Sequence, residues 1–204
     1  MAPSNPVLLP ATLRSPWLEQ LQAWAAAGDL TRAAERWLGV PPDQPLWNAA
    51  LEQWRQGVWG LLPTLLVAPD HALGGVAAAY ERTTASILVN AVWLEQAEER
   101  DLLRVLTEEL GHHLEAAVGQ SGEQAGDEGE RFAAALLGLD DPTLVGKEDD
   151  RTWVRLNDAW LEAEASSQGN TTNDNLTGTD GADALFGYGG NDTLSGGRGD
   201  DVLY

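Results

Sequence analysis

From Gly169 to Tyr204 the chain runs in nines without a slip of register. Glycine opens every unit, at Gly169, Gly178, Gly187 and Gly196. Aspartate holds the sixth place, at Asp174, Asp183, Asp192 and Asp201, and leucine the eighth, at Leu176, Leu185, Leu194 and Leu203. Gly181, Gly190 and Gly199 fill the fourth place, where only the first unit departs, with Thr172. A fixed short period that repeats both a polar and an apolar residue is the mark of a stacked, quasi-one-dimensional structure rather than of an ordinary core. Composition alone would make the segment a disordered linker, but composition does not repeat one Asp and one Leu four times in register.

The residue types explain the period. Glycine permits backbone turns that other residues avoid and leaves carbonyl oxygens exposed. The sixth-place carboxylate is a hard anionic ligand, and the eighth-place leucine is expected to point into a roll. Calcium takes about 6 to 8 oxygen ligands, more than one such loop offers, so an ion has to be shared between stacked loops. Binding and folding then become one event. The segment resembles the RTX, or haemolysin-type, calcium-binding repeat of bacterial exported proteins, with the best match at Gly196-Gly197-Arg198-Gly199-Asp200-Asp201-Val202-Leu203-Tyr204.

The resemblance implies a short calcium-bound parallel β-roll in which one coil takes two repeats. The loops then pair first with third and second with fourth. One site falls to Asp174 and Asp192, weakened by Thr172, and one to Asp183 and Asp201. Backbone oxygens of Gly178, Gly181, Gly187, Gly190, Gly196 and Gly199 complete the ligand set. It also implies a type I secretion system as partner and an extracellular or cell-surface location. A chain ending at Tyr204 lacks the C-terminal segment that such export reads, and without export it stays in the cytoplasm. The first positive side chain is Arg14, so no basic region opens a cleaved signal peptide.

Charge narrows the partners. Asp and Glu outnumber Lys and Arg 32 to 12, for a formal charge of -20, which suits cations and excludes a nucleic-acid ligand. No stretch reaches the ~18 to 20 apolar residues of a membrane span. There are no cysteines and three histidines, His71, His112 and His113, so any metal site must lean on carboxylates.

Ahead of the repeats the sequence predicts an α+β domain, mainly helical with a small sheet. Residues 1–60 read as three helices: Ser15-Pro16 capping one that ends near Gly28, Thr31 capping a second through Leu38, and a third from Pro45 to Trp59. Trp17, Trp24, Trp47 and Trp54 recur at seven-residue intervals, which is core spacing rather than a sugar-binding array. Residues 61–164 open with strands at Thr64–Ala68 and around Ile87–Val89, separated by a turn at Gly74-Gly75. A long helix follows from Glu98 to Val118, with Leu102, Leu103, Val105, Leu106, Leu110 and Leu114 as its stripe. After a loop to Gly126 comes a helix over 127–137. Thr152–Leu156 and Ala159–Glu164 flank Asn157-Asp158 as a hairpin, and 165–168 form a linker to the repeats at 169–204.

The long helix contains Thr107-Glu108-Glu109-Leu110-Gly111-His112-His113, which resembles the zincin motif His-Glu-x-x-His with Glu108 in place of the first histidine. The resemblance implies Glu108 and His112 as zinc ligands, Glu109 as the catalytic general base, Glu128 or Glu130 as the third ligand, and Ser86–Asn90 as the edge strand that carries substrate. Residues four apart share a helix face, as Glu108 and His112 do. Glu115 and Val118 break the metzincin extension of the motif, and Glu109-x-x-His112 has no second copy to make a di-iron site. Against this stands a solvated polar face opposite the leucine stripe, with His113 packing near that stripe and His71 at the surface. The favoured reading is a calcium-binding exported protein whose N-terminal domain is structural or binds a partner. The alternative is a secreted, calcium-stabilised metallohydrolase of peptidase type.

Overall fold

A computed structural model describes residues 5–73, 76–119, 128–138, 151–156, 159–166, 175–177, 184–185, 191, 193–199 and 202–203. The molecule is mixed, mainly helical with a small sheet, as the sequence predicts. Helix α1 spans Ala11–Ala27, α2 Asp29–Trp37 and α3 Pro45–Arg55. Two starts differ from expectation. Pro10, not Ser15, precedes α1, and Pro16 lies inside the helix while the Ser15 hydroxyl donates to the Ala11 carbonyl at 2.8 Å. The proline falls so near the N-terminus that the one backbone bond it removes ends on the exposed first turn. Thr31 lies within α2, which begins directly after Gly28 because that residue takes the left-handed conformation (φ 78°) that closes α1 and opens α2 together. The third helix stops at Arg55, short of Trp59.

A six-stranded sheet lies in the order β1 (Val7–Leu8), β2 (Thr64–Ala68), β4 (Ser86–Asn90), β3 (Ala78–Glu81), β6 (Ala159–Ser166), β5 (Arg151–Leu156). Strands β2 and β4 run parallel and every other pair is antiparallel. The expected hairpin is β5–β6, with Leu156 opposite Ala159, while its turn and the Gly74-Gly75 turn lie outside the described residues. Two expectations are corrected. Strand β4 is interior, paired with β2 on one side and β3 on the other, so Ser86–Asn90 is not an edge open to a substrate strand. Ala165 and Ser166 belong to β6, opposite Ala79 and Ala78, and not to a linker.

The sheet is apolar on both faces, which the period of two in its strands records. Leu65, Val67, Ala78, Tyr80, Ile87 and Val89 face one buried cluster that also holds Trp17, Trp47 and Trp54. Leu88, Ala79, Val154 and Ala163 face a smaller one closed by Leu73 of the short helix α4 (Asp70–Leu73). The larger cluster runs from Leu9 to Leu136, so the first sixty residues and those after them share a core. All four tryptophans at heptad spacing are buried, as core packing requires.

After the short α5 (Ala91–Leu94), helix α6 (Glu99–Val118) lies at the centre and α7 (Glu128–Leu137) packs along it. The start of α6 is fixed by the Asp101 carboxylate, which accepts from the Glu98 backbone N–H at 2.8 Å. Every residue from Val105 to Leu114 is buried, so α6 is enclosed all round rather than half-exposed. Trp17 ties α1 to it by donating from Nε1 to Thr107 Oγ1 at 3.2 Å.

Candidate functional site

In the C-terminal segment the described strands are β7 (Asn175–Thr177), β8 (Ala184–Leu185), β9 (Thr193–Ser195) and β10 (Val202–Leu203). Strand β7 pairs in parallel with β9, placing Leu176 opposite Leu194, and β8 pairs in parallel with β10, placing Leu185 opposite Leu203. Each strand thus lies beside the strand two units away. That is first with third and second with fourth, the pairing expected of a coil that takes two repeats. Of the expected calcium ligands, Gly196 and Gly199 are described. Asp174, Asp183, Asp192, Asp201, Gly178, Gly181, Gly187 and Gly190 lie outside the described residues, as does Thr172. Gly199 has φ 120° and Gly197 φ 89°, and this left-handed backbone gives the glycine-rich loop its physical reason. Leu194 is partly buried, whereas Leu203 is 46% exposed on a strand paired on one side only, so the leucine row is not uniformly inward.

Residues 168–203 match the RTX calcium-binding nonapeptide repeat, in four copies. No curated protein and no solved structure matches the chain. The repeat is a calcium-binding one. What this chain offers the ion agrees with that chemistry, since the charged group repeated in register is a carboxylate and the described loop glycines Gly197 and Gly199 are held in left-handed backbone. No helix among the described residues is long and apolar enough to cross a membrane.

The Glu-Glu-x-Gly-His segment is not a solvated face. Glu108 and Glu109 are 1% and 0% exposed, and His112 and Glu130 are also buried. The cause is α7. A Cβ on Gly111 would stand 2.7 Å from the Gly129 Cα, and one on Gly129 would stand 2.5 Å from His112 Nε2 and 2.8 Å from the Glu108 carbonyl oxygen. Two glycines therefore let the helices approach almost backbone to backbone, and they carry Glu128 and Glu130 past His112. Glu130 meets a cation here: Arg104 Nη2 lies 3.2 Å from its Oε1, and both side chains are largely buried. A metal held by Glu130 would share that carboxylate with the Arg104 guanidinium. Among the described residues no group of three or more His, Asp or Glu side chains is placed to hold a metal ion.

Other buried polar residues serve the fold. His113 stacks edge-on to Tyr80, with Nδ1 3.1 Å from the Tyr80 hydroxyl and Nε2 3.0 Å from the Leu61 carbonyl. A carbonyl only accepts, so Nε2 carries the proton and Nδ1 accepts from the tyrosine. Burial holds this imidazole below its ordinary value, with the Leu61 hydrogen bond opposing the shift. His71 is exposed on the short helix α4, as expected of a surface residue. Glu81, at the end of β3, accepts from the backbone N–H groups of Thr83 and Thr84 at 2.7 Å each and from the Thr84 hydroxyl at 2.5 Å. Burial pushes its carboxyl up, and the hydrogen bonds from Thr84 and Thr83 outweigh that and leave it below the usual range. The sequence reading missed Gly111, Gly129, Arg104 and Glu81. The signal available was the glycine set between two acids at Glu128-Gly129-Glu130, since glycine inside a helix implies a close approach.

Proposed function

We propose that this is an exported calcium-binding protein whose repeats fold, on taking up calcium, into a short parallel β-roll joined to a helix-and-sheet body that is structural or binds a partner. The observation that carries the reading is the parallel pairing of Leu176 with Leu194 and Leu185 with Leu203, the register in which sixth-place carboxylates two units apart come level. In this reading Asp183 and Asp201 supply one inter-loop site, and Asp174 and Asp192 a second that Thr172 weakens. Residues 169–204 form the roll and the residues before it the body. The repeat class supports export through a type I secretion system as part of this reading. Calcium titration followed by circular dichroism tests it: β signal should rise with calcium and vanish in chelator, and Asp183→Asn with Asp201→Asn should abolish most of the response. A tail whose spectrum ignores calcium would sink the reading.

A second reading, a metallohydrolase site with Glu108 and His112 as ligands, Glu128 or Glu130 as the third and Glu109 as base, is favoured by one observation, the shared burial of Glu108, Glu109 and His112 under α7. The first reading predicts no stoichiometric zinc. One zinc per chain, lost in His112→Ala and kept in Glu109→Gln with loss of hydrolysis, would favour the second.

A further inference from the structure

Residues 57–63 join α3 to β2 as a strap over the side of the larger core. Main-chain bonds fasten both ends: the Gly57 and Val58 N–H groups donate to the Trp54 and Gln53 carbonyls at 3.0 and 2.9 Å, and the Thr64 N–H donates to the Ala85 carbonyl at 2.9 Å. Between these ends two buried side chains hold the backbone. Trp54 Nε1 donates to the Gly60 carbonyl at 2.6 Å, and His113 Nε2 to the Leu61 carbonyl at 3.0 Å. Trp59, Leu61 and Leu62 rest half-buried against the core, while Val58 is exposed. Leu61 does this at φ 61°, in the left-handed region that a side chain of its size avoids. Such a residue stays there only while its surroundings hold it. Here the holding is done by two hydrogen bonds and three half-buried side chains.

We infer that the strap is a gate, which lifts between its fastened ends while the rest of the body stays folded and so uncovers the buried pair His113 and Tyr80. The imidazole and the phenol are joined at 3.1 Å through Nδ1 and lie directly behind the Leu61 carbonyl. Lifting the strap lets Leu61 leave the left-handed region, so the strain of the closed form favours opening. It breaks no strand pairing and no helical turn, because α3 ends at Arg55 and β2 keeps its bonds to β1 and β4 from Thr64 onward. Its three apolar side chains are only half-buried, so little area returns to water compared with the loss of a core strand. Segments of that kind open locally, well below the free energy of global unfolding.

The test takes two readings on the full chain. Amide hydrogen exchange at residues 59–62 is followed over a series of low urea concentrations. Histidine modification by diethyl pyrocarbonate is located by tandem mass spectrometry, with exposed His71 as the monitor of the reagent and His113 as the reporter of the open strap. The strap amides should exchange faster than those of β4 and without the urea dependence that the core shows. Trp54→Phe keeps a ring and deletes the donor to Gly60, and should speed both strap exchange and His113 modification by about three- to tenfold, the effect of one neutral hydrogen bond. Trp47→Phe is the control, since that ring meets Trp54 edge to face and its Nε1 has no hydrogen-bond partner among the described residues. It should leave both readings where they were. The inference is overturned if residues 59–62 exchange only together with the core and with the same urea dependence, a result that needs no variant. It is overturned equally if Trp54→Phe raises His113 modification no more than Trp47→Phe does.

Discussion

The body and the tail are ordered by different means. In the body Trp17, Trp47, Trp54, Phe132, Ile87, Leu106 and Leu110 are each at most 1% exposed, and at roughly 1.5 to 3 kcal/mol for each such side chain the apolar core dominates. In the tail the described strands are two or three residues long, Thr193 and Ser195 are exposed, and Leu203 is nearly half exposed. Strands this short, with the side chains described above so little buried, offset little of the entropy of ordering a chain. The comparison sets a region folded by its own surface burial against one for which, in the function proposed above, a ligand does that work. It also says where each should fail.

The largest effect should come from taking the ligand away. Chelation is expected to abolish the β signal of the tail while the body keeps its buried-tryptophan emission. Emission at the wavelength of the unfolded chain in chelator alone would erase the distinction between the two regions. Next is the core: Trp17→Ala removes a buried indole and strips Thr107 of its donor, and should cost about 3 to 5 kcal/mol in urea unfolding while the calcium-induced change in the tail persists.

A smaller effect is expected at the crossing of α6 and α7. Gly129→Ala puts a methyl 2.5 Å from His112 Nε2, and the helices must separate at a cost of about 1 to 3 kcal/mol. Because only the body holds this contact, calcium affinity should change little. A neutral Gly129→Ala would mean that α7 does not approach α6 as closely as described.

What the sequence made legible divides along the same line. The repeat was readable because its order is local: nine residues carry the turn, the ligand and the apolar anchor, while the strand pairing came from the resemblance to the repeat family. Helix α6 was readable from Glu98 to Val118 because its stripe and its first-turn acids are local too. The sheet order was not, since β4 enters between β2 and β3 through pairings that no short-range pattern encodes. Nor was the burial of Glu108, Glu109 and His112 legible, because polar residues opposite a leucine stripe look solvated until a second helix is laid over them. Gly111 and Gly129 were the trace of that second helix, eighteen positions apart.

The smallest predicted effect separates two acid-side transitions within the body, neither of which touches calcium. His113 is buried and held below its ordinary value of 6.5, so the unfolded chain takes up a proton more readily than the folded one. Its contribution is therefore complete above about pH 6.5 and is lost as pH falls from there through the folded value. Glu81 is also depressed, below 4.5, by its hydrogen bonds from Thr84 and Thr83 acting against burial. What it contributes is present above that value and disappears only at lower pH. Urea midpoints measured from neutral to acid pH should thus fall first in the histidine window and again in the carboxylate window. In His113→Gln, whose side-chain amide can still donate to the Leu61 carbonyl, the first fall should flatten while the second remains. The first fall is the smallest effect predicted because one buried imidazole carries it. Were the variant to keep the full slope between pH 7 and 5, the titrating group would lie elsewhere and the Tyr80–His113–Leu61 chain would carry no pH dependence.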